Sequence, residues 1–140
     1  MKRLYVLIVL LISVSCFSQK KQELALLGYY CGYSGSGTPV VIKFGELLFE
    51  KKYKTIRTLL FSKNPAENFL AVVITSRLAH KDKIKLTETE LKRINELYKS
   101  KEKIRLCSGC TGSGEMELDS MLNSKEEVFA AMDYYFQFEE

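Results

Sequence analysis

Histidine is almost missing from this 140-residue chain, with His80 the only one. A histidine pair at metal-ligand spacing is therefore excluded, and a Ser–His–Asp arrangement would have to run through His80. No Gly-x-Ser-x-Gly occurs, so Ser34, Ser36 and Ser113 are nucleophiles by residue type only. Prolines number two, Pro39 and Pro65, so little interrupts helices over the rest of the chain. A one-signed charge is missing too. The formal charge is +4, and the lysine groups 20–21, 51–54, 81–85 and 99–103 are mixed with acids or sit at element ends. Solvated faces account for them better than a phosphate-tracking groove, and nucleic acid is not an expected partner. No long segment alternates apolar with polar residues, which argues against a sheet.

Long apolar runs are also scarce. Leu4–Val14 is the longest, behind a basic start at Lys2 and Arg3 and with no acid before Glu23. It falls short of the ~20 residues of a spanning helix but fits the apolar region of an export signal. Small residues at Cys16 and Ser18 place cleavage after Ser18, giving a signal peptide over 1–18 and one domain over 19–140. The alternative is a lipoprotein signal with Cys16 lipidated, although Ser13 stands where that pattern prefers Leu. Removal of 1–18 leaves 122 residues, enough for one core, and lowers the formal charge to +2. A periplasmic or secreted location follows, with a lipid-anchored envelope protein as the alternative and no membrane span in the mature chain.

What is present is helical periodicity. Glu23–Tyr30 reads as a short helix. Thr38-Pro39 reads as an N-cap and first turn, followed by Val40, Val41, Phe44, Leu47 and Leu48 on one face. Tyr53, Ile56, Leu59 and Leu60 make a second amphipathic helix over Lys52–Phe61. Asn64-Pro65 opens a third, with Glu67 placed for a capping box. Phe69–Ile74 are consecutive and apolar, so this helix to His80 has no polar face and must be buried. Thr87 and Glu90 form a capping box with Leu86 and Leu91 as a hydrophobic staple, and Leu91, Ile94, Leu97 and Tyr98 follow as the buried stripe. Lys103–Cys107 alternates briefly and reads as a short extended piece. Cys107–Gly114 is a glycine-rich loop, and Glu115–Asn123 a helical turn. Ser124 with Glu127 caps a last helix through Val128, Ala131, Met132, Tyr135 and Phe136. Tyr134, Tyr135, Phe136 and Phe138 are core packing or, if exposed, an interface. The architecture expected is an all-α domain of five or six helices around the buried segment 65–80.

The hairpin over about 52–80 resembles a HEAT-type repeat: an amphipathic helix, an Asn-Pro break and a more buried second helix. That family carries an Arg early in its second helix, where Asn68 lies here. The resemblance covers one repeat length and implies a stacked helical array with a binding or scaffold role.

Chemistry concentrates on Cys31, Cys107 and Cys110. In an oxidising compartment the default for such thiols is a disulfide, and three allow only one internal bridge. Cys31 pairs with Cys107 or with Cys110, or Cys107 and Cys110 pair locally. The expectation is that loops 31–38 and 107–114 lie together at one end. The Cys-x-x-Cys spacing suits thiol–disulfide exchange, but Thr-Gly-Ser-Gly follows it instead of a helix that would stabilise a thiolate. Cys107-Ser-Gly-Cys-Thr-Gly-Ser-Gly also resembles one repeat of the cysteine-rich zinc domain of DnaJ-type chaperones. With Cys31 and His80, Cys107 and Cys110 would complete a Cys₃His zinc set. No cofactor is favoured, with zinc the alternative. Gly32–Thr38 nearly makes a phosphate loop but has Thr38 where Lys is required. Glu115, Glu117 and Asp119 read as a solvated edge. The function expected is a non-catalytic interaction or structural protein of the cell envelope with a protein partner. The alternative is a thiol-active or zinc-binding protein, and the balance leans against an enzyme.

Overall fold

The structure is a computed structural model that describes residues 25–109 and 112–124. In chain order these hold β1 (Leu26–Leu27), α1 (Pro39–Phe49), α2 (Tyr53–Thr58) with a 3₁₀ turn (Leu59–Phe61), and α3 (Pro65–His80). They continue with α4 (Glu88–Leu97), β2 (Lys103–Ser108), β3 (Gly112–Glu117) and α5 (Leu118–Asn123). The signal segment, Cys16, Cys110, the helix expected after Ser124 and the aromatic tail lie outside the described residues.

The all-α expectation is overturned, because the described chain is a mixed helix-and-sheet fold. Three strands form one sheet in the order β1-β2-β3. β1 pairs parallel with β2, Leu26 opposite Arg105 and Leu27 opposite Leu106. β2 pairs antiparallel with β3 from Lys103–Glu117 to Ser108–Gly112. The sheet escapes notice in the sequence for physical reasons. β1 is two residues long, where a helix was expected over 23–30. β3 is Gly-Ser-Gly-Glu-Met-Glu, a composition that disfavours strands and reads as a loop. Only β2 shows the alternation, with Ile104 buried between exposed Lys103 and Arg105. One face of the sheet therefore packs on the core through Leu27, Ile104 and Leu106, and the other carries Leu26, Lys103, Arg105, Glu115 and Glu117. The helical turn expected over 115–123 shrinks to α5, whose start is tied back by Leu118 N donating to Glu102 O at 2.9 Å and Asp119 N to Ser100 O at 3.0 Å.

α3 is the centre. Every residue from Asn68 to Thr75 is buried, with Ala66 and Leu78. α1, α2, the 3₁₀ turn, α4, β2 and α5 all pack on it, so the absence of a polar face is matched by cover on every side. Its start is set by Asn64, whose side chain accepts from Ala66 N at 2.9 Å. Glu67 does not close the expected box. It takes Lys43 of α1 at 2.6 Å and the Ser62 hydroxyl, and that hydroxyl in turn accepts from Asn64 N at 3.1 Å. These contacts hold the Glu67 carboxyl below its usual range against the opposing effect of burial. Asn68 is 1 % exposed and its amide has no hydrogen-bond partner among the described residues.

Two helix starts differ in part from expectation. Thr38 stands at the N-cap of α1, but its hydroxyl makes no cap bond and is buried. At α4 the Thr87–Glu90 box is present, yet Leu91 is 48 % exposed and Glu90 is only 8 % exposed. The buried stripe is Glu90, Ile94 and Leu97. Glu90 turns inward because Arg57 of α2 meets it with two bonds, Nε and Nη2 each at 2.7 Å. That pairing satisfies a carboxylate that apolar neighbours could not.

α1 and α3 end alike. At α1, Lys51 N donates to Leu48 O and Lys52 N to Leu47 O; at α3, Asp82 N donates to Ala79 O and Lys83 N to Leu78 O. This is the Schellman pattern, with the residue after the C-cap in the left-handed region. Here that residue is not glycine but Lys51 (φ 53°) and Asp82 (φ 54°). The next residues alternate in step: Tyr53 and Ile84 pack on the core while Lys52, Lys54, Lys83 and Lys85 face solvent.

Candidate functional site

The chain after β1 rises through Gly28 to Cys31, turns, and enters α1. Cys31 is bonded to Cys107, with Cα atoms 5.5 Å apart. The turn after Cys31 thus meets the end of β2 at one end of the fold, which we call the cystine pole; the stretch 107–114, expected as a loop, instead supplies the end of β2 and the start of β3. Backbone bonds reinforce the link: Gly109 N donates to Tyr30 O at 2.7 Å and Gly32 N to Gly109 O at 3.1 Å. Cys31 bridges Gly109 in parallel, prolonging the β1–β2 pairing past Gly28. Gly28 is required by space. A Cβ there would fall on the Cys107 carbonyl oxygen and on both sulfurs, so the bridge lies on bare backbone.

Between Cys31 and Ser36 the chain forms a closed turn. Cys31 N donates to Ser36 O at 2.9 Å and Gly35 N to Gly32 O at 3.3 Å. Gly32 and Gly35 supply the positive φ angles it needs, 68° and 61°. Thr38 N then donates to Gly28 O at 2.8 Å and directs the chain into α1. This closed turn is no phosphate cradle, since the Thr38 hydroxyl is buried. At its tip stands Tyr33, 99 % exposed, beside the half-exposed Tyr30. The sequence carries a signal for Tyr33: an aromatic side chain set among the glycines and serines of Cys-Gly-Tyr-Ser-Gly-Ser-Gly has little beside it to pack on.

The other candidates are dispersed. His80 is the exposed last residue of α3, whereas Cys31 lies on the chain that leads into the start of α1. Among the described residues no three of His, Cys, Asp and Glu converge as a metal set. Neither Cys31 nor Cys107 opens a helix, Cys107 being in β2. Glu115 and Glu117 face Lys103 and Lys101 across the sheet at 3.6 and 2.9 Å, and Asp119 takes Lys101 at 2.6 Å. These pairs are exposed and modest in effect. Tyr29 is largely buried, which pushes its hydroxyl pKa up, partly opposed by the nearby Arg77 charge.

No helix among the described residues is long and apolar enough to cross a membrane. The class these features define is a small mixed helix-and-sheet domain with a buried central helix and a disulfide-pinned pole. Comparison with protein-family models, with curated proteins and with solved structures returns no match, so the HEAT-type and DnaJ-type resemblances rest on the sequence alone.

Proposed function

We propose that the chain is an exported, non-catalytic interaction domain of the cell envelope that meets a protein partner through the Cys31–Ser36 turn. The observation that carries this reading is Tyr33, 99 % exposed on a turn held by a disulfide and by its own backbone bonds. An exposed tyrosine on a mobile loop would lose freedom on binding. On a pinned turn little is left to lose. Tyrosine flanked by serine and glycine is also the composition of binding loops: a large amphipathic ring with two rotatable bonds among small adaptable neighbours. The placing of Cys107 in a strand supports a structural bridge, because it lacks the helix N-terminus that stabilises a thiolate in the redox motif. Export rests on the Lys2–Ser18 pattern.

A photo-crosslinking residue at position 33, introduced in the producing cell, tests this. One discrete adduct is expected, competed by excess unlabelled wild-type chain but not by the Tyr33→Ala chain. No competable adduct, or equal competition by Tyr33→Ala, would overturn the reading. The thiol-active or zinc alternative using Cys31, Cys107 and Cys110 makes a different demand. Catalytic reduction of a test disulfide, or zinc released by a chelator, would displace the non-catalytic assignment.

A further inference from the structure

The lysine groups that look separate in the sequence are gathered by the fold. Arg57 bonds Glu90 and Leu60 O accepts from Arg93 Nε at 3.0 Å, both pairs being 33 residues apart. α2 with the 3₁₀ turn that continues it therefore runs in the same direction as α4, the turn packed on α4 and Arg57 reaching its first turn. The corner that enters α2, after α1, and the corner that enters α4, after α3, must emerge on the same side. One end of the fold then carries Lys51, Lys52 and Lys54 from the first corner and Lys81, Lys83 and Lys85 from the second.

Acids cancel only part of this group, and four of its lysines carry the charge considered, Lys81 and Lys52 being engaged elsewhere. Glu50 pairs with Lys52 at 2.6 Å. Asp82 lies within the second corner, and Glu46 and Glu88 lie a turn away on α1 and α4. Lys51, Lys54, Lys83 and Lys85 are exposed and make no ion pair among the described residues. At the first corner Phe49, the last residue of α1, is 90 % exposed. The corner holding it is bonded at each step: Glu50 N to Glu46 O, Lys51 N to Leu48 O, Lys52 N to Leu47 O and Tyr53 N to Lys51 O, all within 2.9 Å. The phenyl ring is thus held outward rather than left out by a loose chain.

The geometry points to this lysine pole as a docking surface for an anionic lipid bilayer, with Phe49 entering the headgroup boundary and the lysines lying against lipid phosphates. Helix C-termini attract lysine for their dipoles alone, which accounts for charge but not for an aromatic ring presented to water. A basic cluster around an exposed aromatic is the arrangement that suits the bilayer boundary, where apolar contact and phosphate attraction act together. A nucleic acid would call for a groove or a set of stacking rings, and the two corners present one ring. The inference concerns the pole opposite the Tyr33 turn and does not depend on that turn's role.

The chain contains no tryptophan, so Phe49→Trp gives a single reporter at the site in the exported form of the protein. The expected result is a blue-shifted emission with phosphatidylglycerol-containing vesicles, absent with pure phosphatidylcholine and reversed by 0.5 M salt. Replacing Lys51, Lys54, Lys83 and Lys85 together by Gln should weaken the vesicle response at least tenfold. These positions are exposed, and circular dichroism confirms that the fold is kept. No shift with anionic vesicles overturns the proposal, as does an equal shift with neutral ones. An equal shift with heparin in place of lipid assigns the pole to a soluble polyanion and also overturns it.

Discussion

The cystine pole and the lysine pole solve one problem in two ways. Each must reverse the chain tightly, and each needs positive φ angles to do so. At the cystine pole Gly32, Gly35 and Gly109 supply them at 68°, 61° and 60°, and the Cys31–Cys107 bond holds the result. At the lysine pole Lys51 and Asp82 adopt 53° and 54° without that freedom, held by backbone bonds to the ends of α1 and α3. The nearest thing there to a cross-link is the Arg57–Glu90 pair, which joins α2 to α4. One pole is locked by a covalent bond; the other rests on backbone bonds, with an ion pair joining the helices that follow its two corners. Each should therefore yield to a condition that leaves the other intact.

The largest effect is expected from removing the bridge. It joins residues 76 apart, and in the chain-entropy account such a loop constrains the unfolded chain by about 4 kcal/mol. The Cys31→Ser/Cys107→Ser chain should lose that much in urea unfolding near neutral pH, and a reductant should lower the wild type to the same level while leaving the double variant unchanged. A loss below about 1 kcal/mol would show that the backbone bonds among Tyr30, Gly32 and Gly109 suffice to hold this pole.

Acid should open the other pole. Glu90 accepts two bonds from Arg57 and further bonds from Thr87 N and Oγ1 at 2.8 and 2.9 Å. Arg57 foremost, and Thr87 after it, pull the carboxyl down to about 2 against the opposing effect of burial. A carboxylate whose pKa is lower folded than unfolded stabilises the fold above its unfolded value, near 4.5, and loses that contribution as pH falls toward 2. The shift corresponds to roughly 3 kcal/mol. Glu90→Gln should cost a similar amount at pH 7 and flatten the stability profile between about pH 5 and pH 2. A variant that keeps the wild-type slope over that range would place the acid sensitivity elsewhere.

What could be read in the sequence divides along the same line. Helix starts were visible because their chemistry is local: Asn64-Pro65 and Thr87 with Glu90 announce themselves within four residues. The buried run 69–74 was visible because no helix face was left for water. The meeting of Cys31 with Cys107 was open as one of three pairings, since which sulfur faces which depends on a sheet register that two-residue β1 does not reveal. The sheet itself was missed because β3 is held by pairing with β2, not by its own residues. Glu90 reads only as a cap in the sequence because its partner Arg57 sits 33 residues away. Tyr33 and Phe49 were passed over because exposure is decided by what the fold fails to place over a side chain.

The smallest effect discriminates most finely between the poles. Left-handed geometry costs an ordinary L-residue about 1 kcal/mol, and less for Asp, which tolerates that region better than a long unbranched chain does. Glycine removes the strain but brings extra freedom to the unfolded chain, a penalty of roughly 0.5–1 kcal/mol. The balance should favour Lys51→Gly by at most about 0.5 kcal/mol and leave Asp82→Gly at zero or slightly below. Urea midpoints at an unchanged slope would measure both. A clear loss at position 51 would mean that the Lys51 side chain contributes more folded than the strained backbone takes away. The glycine-free corner would then be held by the side chain at its turn, and the parallel with the cystine pole, where glycine alone meets the need for positive φ, would fail at that residue.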